Sequence, residues 1–299
     1  MRLVQYQIPE GTRVGLVKGD DILDLWEMAA PKKKAAIFET MEGLICQDGP
    51  SFQMMKELLK KTSPIIVQEP VRILAPLRNP SKIIGLAKNY IGHVKENKAS
   101  AIPSNPSLFC KLSTCIIGPN DPIILPKITQ YVGCGISLVV VIGKKVRRVP
   151  PEEALNAVAG YTIGNDITAL DIQLRDEQWT RSKSLDTFLP LGPTLVTLDE
   201  FDDPLNLEMR LWLNGKLIQK GSTVGMIFPV AEIISWLSEG ITLLPGDLIL
   251  TGTPFGADFP RHPFQSLKNG DCLDLEIEDL GRLTNSCALR MPQSQEFTY

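Results

Sequence analysis

The sequence is poor in the residues that build most protein metal centres. It holds two histidines, His93 and His262, and its six cysteines, at 46, 110, 115, 134, 272 and 287, include no CxxC pair. Zinc-type ligand spacing is therefore absent, and most of these thiols are expected to be small buried hydrophobes. Long apolar runs are missing too. The longest, Ile136 to Ile142, is seven residues, against the roughly 20 needed to cross a bilayer, and it reads as a buried strand. Charge of one sign is also missing: 31 Lys+Arg face 34 Asp+Glu, a net charge of -3. That balance argues against the concentrated basic face that nucleic-acid binding requires. The two basic clusters, Lys32 to Lys34 and Lys144 to Arg148, are short and read as solvated surface. The N-terminal MRLVQYQIPEG carries no apolar signal segment and the C-terminal QEFTY no address motif, so a cytoplasmic location is expected. No GxxxxGK[ST] occurs, and Gly133-Cys134-Gly135 does not open a helix in GxGxxG spacing, which leaves nucleotide binding unsupported.

What is present is enough for a large core. The 299 residues are 43% hydrophobic and 22% charged, the balance of an ordinary globular chain, long enough for about two units at roughly 150 residues each. Residues 1–70 are expected to form a small N-terminal α/β domain, with a hairpin around Gly19-Asp20 and a helix over Phe52 to Lys61. The Pro-bearing stretch Gln68 to Pro80 is the junction, and 71–299 the main domain. There the pattern turns to strands. Leu207 to Leu213 and Lys216 to Gln219 flank Asn214-Gly215, a strong hairpin turn, and Cys272 to Ile277 and Arg282 to Leu289 form a second ribbon. Helices are few, over Pro151 to Val158, after Thr168, and over Phe228 to Ser238. The fold class is thus a β-rich α+β protein.

Three segments carry residues suited to chemistry. In Asn89-Tyr90-Ile91-Gly92-His93-Val94-Lys95-Glu96, His93 and Glu96 are three apart and share one face if the segment makes a helical turn. A carboxylate that accepts one imidazole proton fixes the tautomer and raises the basicity of the other nitrogen, which makes a general base. The second segment runs from Gly164-Asn165-Asp166 through Thr168-Ala169-Leu170-Asp171-Ile172-Gln173 to Trp179-Thr180-Arg181-Ser182-Lys183-Ser184. The third, Leu250-Thr251-Gly252-Thr253-Pro254, is a strand running into a Gly/Pro loop. Taken alone, each also fits a structural role: a surface ion pair, a turn cap, a strand exit.

In order along the chain stand NYxxH at 89–93, Phe109 to Lys111, IGP at 117–119, VVIG at 140–143, Asn165-Asp166, WTRSKS at 179–184, LGP at 191–193, MIF at 226–228, PGD at 245–247 and LTGTP at 250–254. From about Lys82 to Leu289 this series resembles the fumarylacetoacetate hydrolase superfamily. The resemblance implies that family's mixed β-sandwich or roll, usually as a homodimer. It implies metal-assisted C–C hydrolysis, decarboxylation or tautomerisation of acylpyruvates, oxaloacetate or related 1,3-dicarbonyl acids. It makes His93 and Glu96 the base, and it makes Lys183, Lys111 and Gln173 residues that orient substrate or stabilise enolate charge, with Leu170 and Thr253 also at the substrate. Asp166 matches one of three carboxylate ligands for Mg²⁺ or Mn²⁺. The other two, a Glu-x-Glu pair in the family, fall on Gly135 and Ser137. An arginine of the family falls on Leu170.

Losing two of three carboxylates weakens a divalent-cation site by orders of magnitude, although Mg²⁺ is also held by one carboxylate plus waters and substrate. No tightly bound cofactor is expected, with at most weak Mg²⁺ or Mn²⁺ at Asp166, and little turnover of oxaloacetate or simple acylpyruvates. Two readings stay open. One is a metal-independent enzyme using the His93–Glu96 dyad and Lys183 on a small enolisable carbonyl substrate. The other is a catalytically dead protein of the same fold, kept for ligand binding or dimerisation. The loss is selective, since His93, Glu96, Gln173, Lys183 and the Thr251–Pro254 turn all remain, and this favours the enzyme.

Overall fold

A computed structural model describes residues 1–32, 35–46, 50–68, 70–96, 102–201, 206–254 and 266–289, except for the side chains of Lys32, Pro50, His93, Lys95 and Glu96. Strands dominate, as the alternating patterns require. The apolar run becomes the strand Ile136–Ile142, with all seven residues buried, and it pairs antiparallel with Val158–Asn165, where all eight are buried. A run dominated by Val and Ile suits a strand covered on both faces. These two lie inside an 11-stranded sheet. On one side follow Leu189–Thr197, Arg2–Ile8, Gly11–Lys18 and Asp21–Asp24; on the other, Leu248–Leu250, Ile83–Ala87 and Ser107–Lys111 at the edge.

The second, five-stranded sheet is built from the two expected ribbons, Glu208–Leu213 with Lys216–Ser222 and Cys272–Ile277 with Gly281–Ala288, plus Ile123–Ile124. Its strands alternate: Glu208–Leu213 and Cys272–Ile277 bury every second residue, as expected of a sheet with one face on the core. Asn214 and Gly215 both have positive φ, 52° and 77°, the backbone that a tight two-residue hairpin turn needs. The N-terminal segment supplies the hairpin Gly11–Lys18 with Asp21–Asp24 and the helix Pro50–Lys61, and its first strand pairs with Leu189–Thr197.

Two boundaries differ from the sequence pattern. The helix expected over Pro151 to Val158 is a short α-turn, Pro151–Ala154, continued as a 3-10 turn to Ala157, and Val158 already belongs to the strand. The β-branched Val158 sits where the sheet recruits it. The helix expected at Phe228 begins at Val230, because Pro229 is extended.

Candidate active site

The strands Ile83–Ala87 and Leu248–Leu250 run parallel, with Leu250 beside Gly85, so their exits, Asn89-Tyr90 and Thr251 to Thr253, emerge side by side. Asn89 ties them together. Its Nδ2 donates to the carbonyls of Thr251 at 2.8 Å and Phe228 at 3.1 Å, and its Oδ1 accepts from the Phe228 N–H at 2.8 Å. Tyr90 is fully buried, with its hydroxyl 3.4 Å from Thr251 Oγ1, and burial pushes its pKa far up. The Asn-Tyr pair is therefore a brace. The helix Ile91–Glu96 grows directly out of it, with the Val94 N–H donating to the Tyr90 carbonyl at 3.1 Å. The expected helical turn is present and holds both His93 and Glu96; their side chains lie outside the described residues.

Lys111, Asp166 and Lys183 meet. Lys111 Nζ donates to Asp166 Oδ1 at 2.9 Å and to the Ile167 carbonyl at 3.2 Å. Lys183 Nζ donates to Asp166 Oδ2 at 2.5 Å and to Thr168 Oγ1 at 2.9 Å. The side chains of Lys111 and Lys183 are 0% and 9% exposed, and that of Asp166 14%, so the trio is buried with a narrow opening at the carboxylate. Burial would raise the Asp166 pKa, but the two ammonium groups outweigh it and hold the carboxyl below its ordinary range. Burial, with repulsion from Lys111, pushes Lys183 below the usual lysine range against the pull of Asp166. Among the described side chains two cations share one anion, one positive charge in excess. Lys183 is thus a buried cation and not a surface one. Lys183 Nζ also sits 4.4 Å from the centre of the Phe109 ring, a cation–π contact, and Phe109 packs at a tilt against Trp179 with ring centres 6.3 Å apart.

Gly135 lies next to this trio: its carbonyl accepts from the Asp166 N–H at 2.9 Å, and its own N–H donates to Asn165 Oδ1 at 3.2 Å. A Cβ on Gly135 would come within 2.9 Å of Thr253 Oγ1. Thr253 is itself held by Gln219, whose Nε2 donates to Thr253 Oγ1 at 2.7 Å and to the Pro254 carbonyl at 2.8 Å, while its Oε1 accepts from the Ile136 N–H at 3.1 Å. Ser137 is buried, and its hydroxyl donates to the Leu138 carbonyl at 3.3 Å.

These residues do not fit a divalent cation. Asp166 offers the only charged oxygens of the three positions, and both already accept from ammonium groups. Gly135 has no donor atom, and Ser137 is spent within its own strand. Among the described residues, the buried Asn165 Nδ2 is an orphaned polar atom nearby; it is a hydrogen-bond donor and so seeks an acceptor, not a cation. Among the described residues no three His, Cys, Asp or Glu side chains are gathered to hold a metal ion.

The remaining expected site residues sit nearby in sequence without joining the trio. Leu170 is 8% exposed and its N–H donates to the Tyr131 carbonyl at 2.8 Å; Gln173 is half-buried in the helix Leu170–Asp176. Sequence reasoning missed Thr168, Gln219 and the packing of Phe109. Gln219 carries no local signal: only the structure shows it as an amide at 2% exposure on a ribbon strand whose neighbours Leu217, Ile218 and Lys220 are more exposed. The cysteines need a correction. Only Cys115, Cys134 and Cys287 are buried, Cys46 and Cys272 are half-buried, and Cys110 is exposed on the edge strand.

The fumarylacetoacetate (FAA) hydrolase C-terminal family model matches residues 82–288. The chain belongs to the fumarylacetoacetate hydrolase family. It is 39% identical over 292 residues to the mitochondrial oxaloacetate tautomerase Fahd2a of Rattus norvegicus, covering 95% of this chain and 91% of that one. It is 37% identical to the mitochondrial oxaloacetate tautomerase FAHD2A of Homo sapiens, with the same coverage. Among solved structures, a fumarylacetoacetate hydrolase from Exiguobacterium antarcticum superposes with a TM-score of 0.84 at 32% identity, covering 97% of this chain and 100% of the other. A maleylpyruvate hydrolase from Sphingobium sp. SYK-6, described in complex with manganese(II) and pyruvate, superposes with a TM-score of 0.77 at 29% identity, covering 96% and 99%. Some relatives of this fold therefore bind Mn²⁺, and the β-rich, mixed-sheet architecture expected from the sequence is theirs. Among the described residues no helix is long and apolar enough to cross a membrane.

Proposed function

We propose that this chain is an enzyme of enolate chemistry on a small 1,3-dicarbonyl or related enolisable carbonyl substrate, working without a tightly bound metal. The observation that carries the reading is the buried Lys111–Asp166–Lys183 trio with its one excess positive charge, since a developing enolate oxygen is the anion that such a site stabilises. His93, supported by Glu96 one turn along the helix Ile91–Glu96, takes the proton from the carbon next to the carbonyl. The resulting enolate is held by the ammonium groups of Lys183 and Lys111. Returning the proton to oxygen instead of carbon completes a tautomerisation; decarboxylation and hydrolytic cleavage release such an enolate as the C–C bond breaks, and cyclisation passes through one. Tautomerisation needs nothing beyond these proton transfers. The names of the mammalian relatives make it the first reaction to assay.

A second reading, a catalytically dead family fold kept for ligand binding or dimerisation, rests on Gly135 and Ser137 standing where the resemblance places carboxylates. One experiment separates the two. Enol-to-keto conversion of 2-oxo acids is followed with the purified protein, its His93→Ala and Glu96→Gln variants, and EDTA-treated samples. General-base catalysis contributes about 10²- to 10⁴-fold, so both variants lose about that much rate at unchanged melting temperature, and EDTA changes nothing. Elemental analysis finds less than about 0.2 equivalents of Mg²⁺ or Mn²⁺. A wild-type rate equal to the uncatalysed one establishes the second reading, and stoichiometric metal overturns the metal-free mechanism. The same reading includes a homodimer, tested by light scattering at micromolar protein, and a cytoplasmic location, tested by fractionation, whereas the mammalian relatives are named as mitochondrial.

A further inference from the structure

Resting on that reading, we propose that Gln219 is a positioning residue of this site, which fixes the Thr253 hydroxyl as a hydrogen-bond donor for a substrate oxygen. The direction of that hydroxyl follows from the partners of one buried amide. Gln219 is 2% exposed on the strand Lys216–Ser222. The Ile136 N–H can only donate, so the Gln219 atom 3.1 Å from it is the carbonyl oxygen Oε1. The Pro254 carbonyl can only accept, so the atom 2.8 Å from it is the amide nitrogen Nε2. Two independent backbone groups thus set the amide the same way round. The second N–H of Nε2 goes to Thr253 Oγ1 at 2.7 Å, which makes Thr253 the acceptor in that bond. Its own proton therefore turns elsewhere, and among the described residues it meets no acceptor.

The room beside the hydroxyl is left by a missing side chain. Thr253 lies over Gly135: an ideal Cβ there would come within 2.9 Å of Thr253 Oγ1 and 3.2 Å of Thr253 Cβ, so a larger residue at 135 displaces the hydroxyl. The Gly135 carbonyl accepts from the Asp166 N–H at 2.9 Å, which puts Thr253 beside the backbone that carries the Lys111–Asp166–Lys183 trio. Within the turn Thr251 to Pro254, Thr253 alone is not fully buried, so its side chain is the part of the turn that a small molecule reaches. Gly221, two residues along on the same face of the strand as Gln219, seats the turn from the other side: a Cβ on it would come within 2.4 Å of Pro254 Cβ. Pro254 is thus held by Gly221 and Gln219 while Thr253 faces the site. A donor oriented in advance costs no reorganisation when charge develops on a substrate oxygen. Gly135 then has a use of its own, since the position where the resemblance places a carboxylate is kept clear for a hydroxyl.

The test follows enol-to-keto conversion of 2-oxo acids by the purified full-length protein and its variants, each held well below its own melting temperature. Thr253→Val removes the hydroxyl at nearly equal volume. Gln219→Glu replaces the amide by a carboxyl group, which once ionised draws the Thr253 proton to itself. Loss of one preorganised donor costs about 10²- to 10³-fold in kcat, and both variants are expected to lose kcat by about that order with KM little changed. Thr253→Ser, which keeps the hydroxyl, recovers most of what Thr253→Val loses. The double variant decides. If Gln219 acts through Thr253, Gln219→Glu takes little further rate from Thr253→Val, whereas a merely structural glutamine costs the same factor in either background. Losses that multiply in the double variant overturn the inference and leave the enolate reading in place, as does Thr253→Val at the wild-type kcat. Gln219→Leu completes the same cycle should Gln219→Glu fail to fold, and should neither fold, equal rates of Thr253→Val and Thr253→Ser overturn the inference. A wild type that turns over no 2-oxo acid sinks the enolate reading and this inference with it.

Discussion

The ring of Phe109 fills the space that a side chain on Gly85 would occupy. The two residues face each other across antiparallel strands, and an ideal Cβ on Gly85 would sit 2.1 to 2.7 Å from three ring carbons. Gly85→Ala must therefore push the ring away, and with it the surface on which Lys183 rests. Overpacking of this kind costs about 1 to 3 kcal/mol. Urea unfolding is expected to show a lowered midpoint, and a crystal structure of the variant a displaced Phe109 ring.

Asp166 lies between two buried cations and accepts from both. Removing one member of a buried ion pair leaves an uncompensated charge and costs about 3 to 5 kcal/mol, so Asp166→Asn is expected to destabilise the protein by that order. Adding Lys183→Met to Asp166→Asn removes one of the two stranded charges and recovers part of the loss. A double-mutant cycle from chemical denaturation measures this; additive effects of the two substitutions would contradict the coupling.

Gln219 holds three groups at once, the Ile136 N–H, the Thr253 hydroxyl and the Pro254 carbonyl. Gln219→Leu keeps the volume and strands these partners, at about 1 to 3 kcal/mol for each group that stays buried and unpaired. Hydrogen exchange is expected to rise at Ile136 and through 251–254 well before it rises in the five-stranded sheet.

Asp171 supplies a pH dependence away from the Lys–Asp trio. Partial burial would raise its pKa, but hydrogen bonds from the Thr129 hydroxyl and the N–H groups of Gln130 and Ile172 hold it below the usual carboxylate range. A depressed folded-state pKa contributes stability that is present above the unfolded value and is lost as pH falls through the folded one. Melting temperature is therefore expected to fall more steeply between pH 5 and about pH 2 in the wild type than in Asp171→Ala, and equal slopes would count against this role.

The strands and hairpins were legible because their signals are local. Ile136 to Ile142 announces a buried strand by composition alone, and Asn214-Gly215 announces its turn by two residues that tolerate positive φ. The motif residues were legible in number but not in partnership. Nothing local links Lys111, Asp166 and Lys183, and the meeting that defines the site depends on how three separate segments are placed. Gln219 and the Phe109–Gly85 contact were invisible for the same reason, since cross-strand register is a property of the sheet. His93 and Glu96 were placed on one helical turn by spacing, and that turn exists.

Several of the bonds that define the site join residues far apart along the chain. Asn89 reaches Thr251 across 162 positions, Gln219 reaches Ile136 across 83, and Lys111 reaches Asp166 across 55. Closing such long loops is entropically costly and is rewarded late in folding. A nascent or partly unfolded chain therefore carries the sequence motifs without carrying a site.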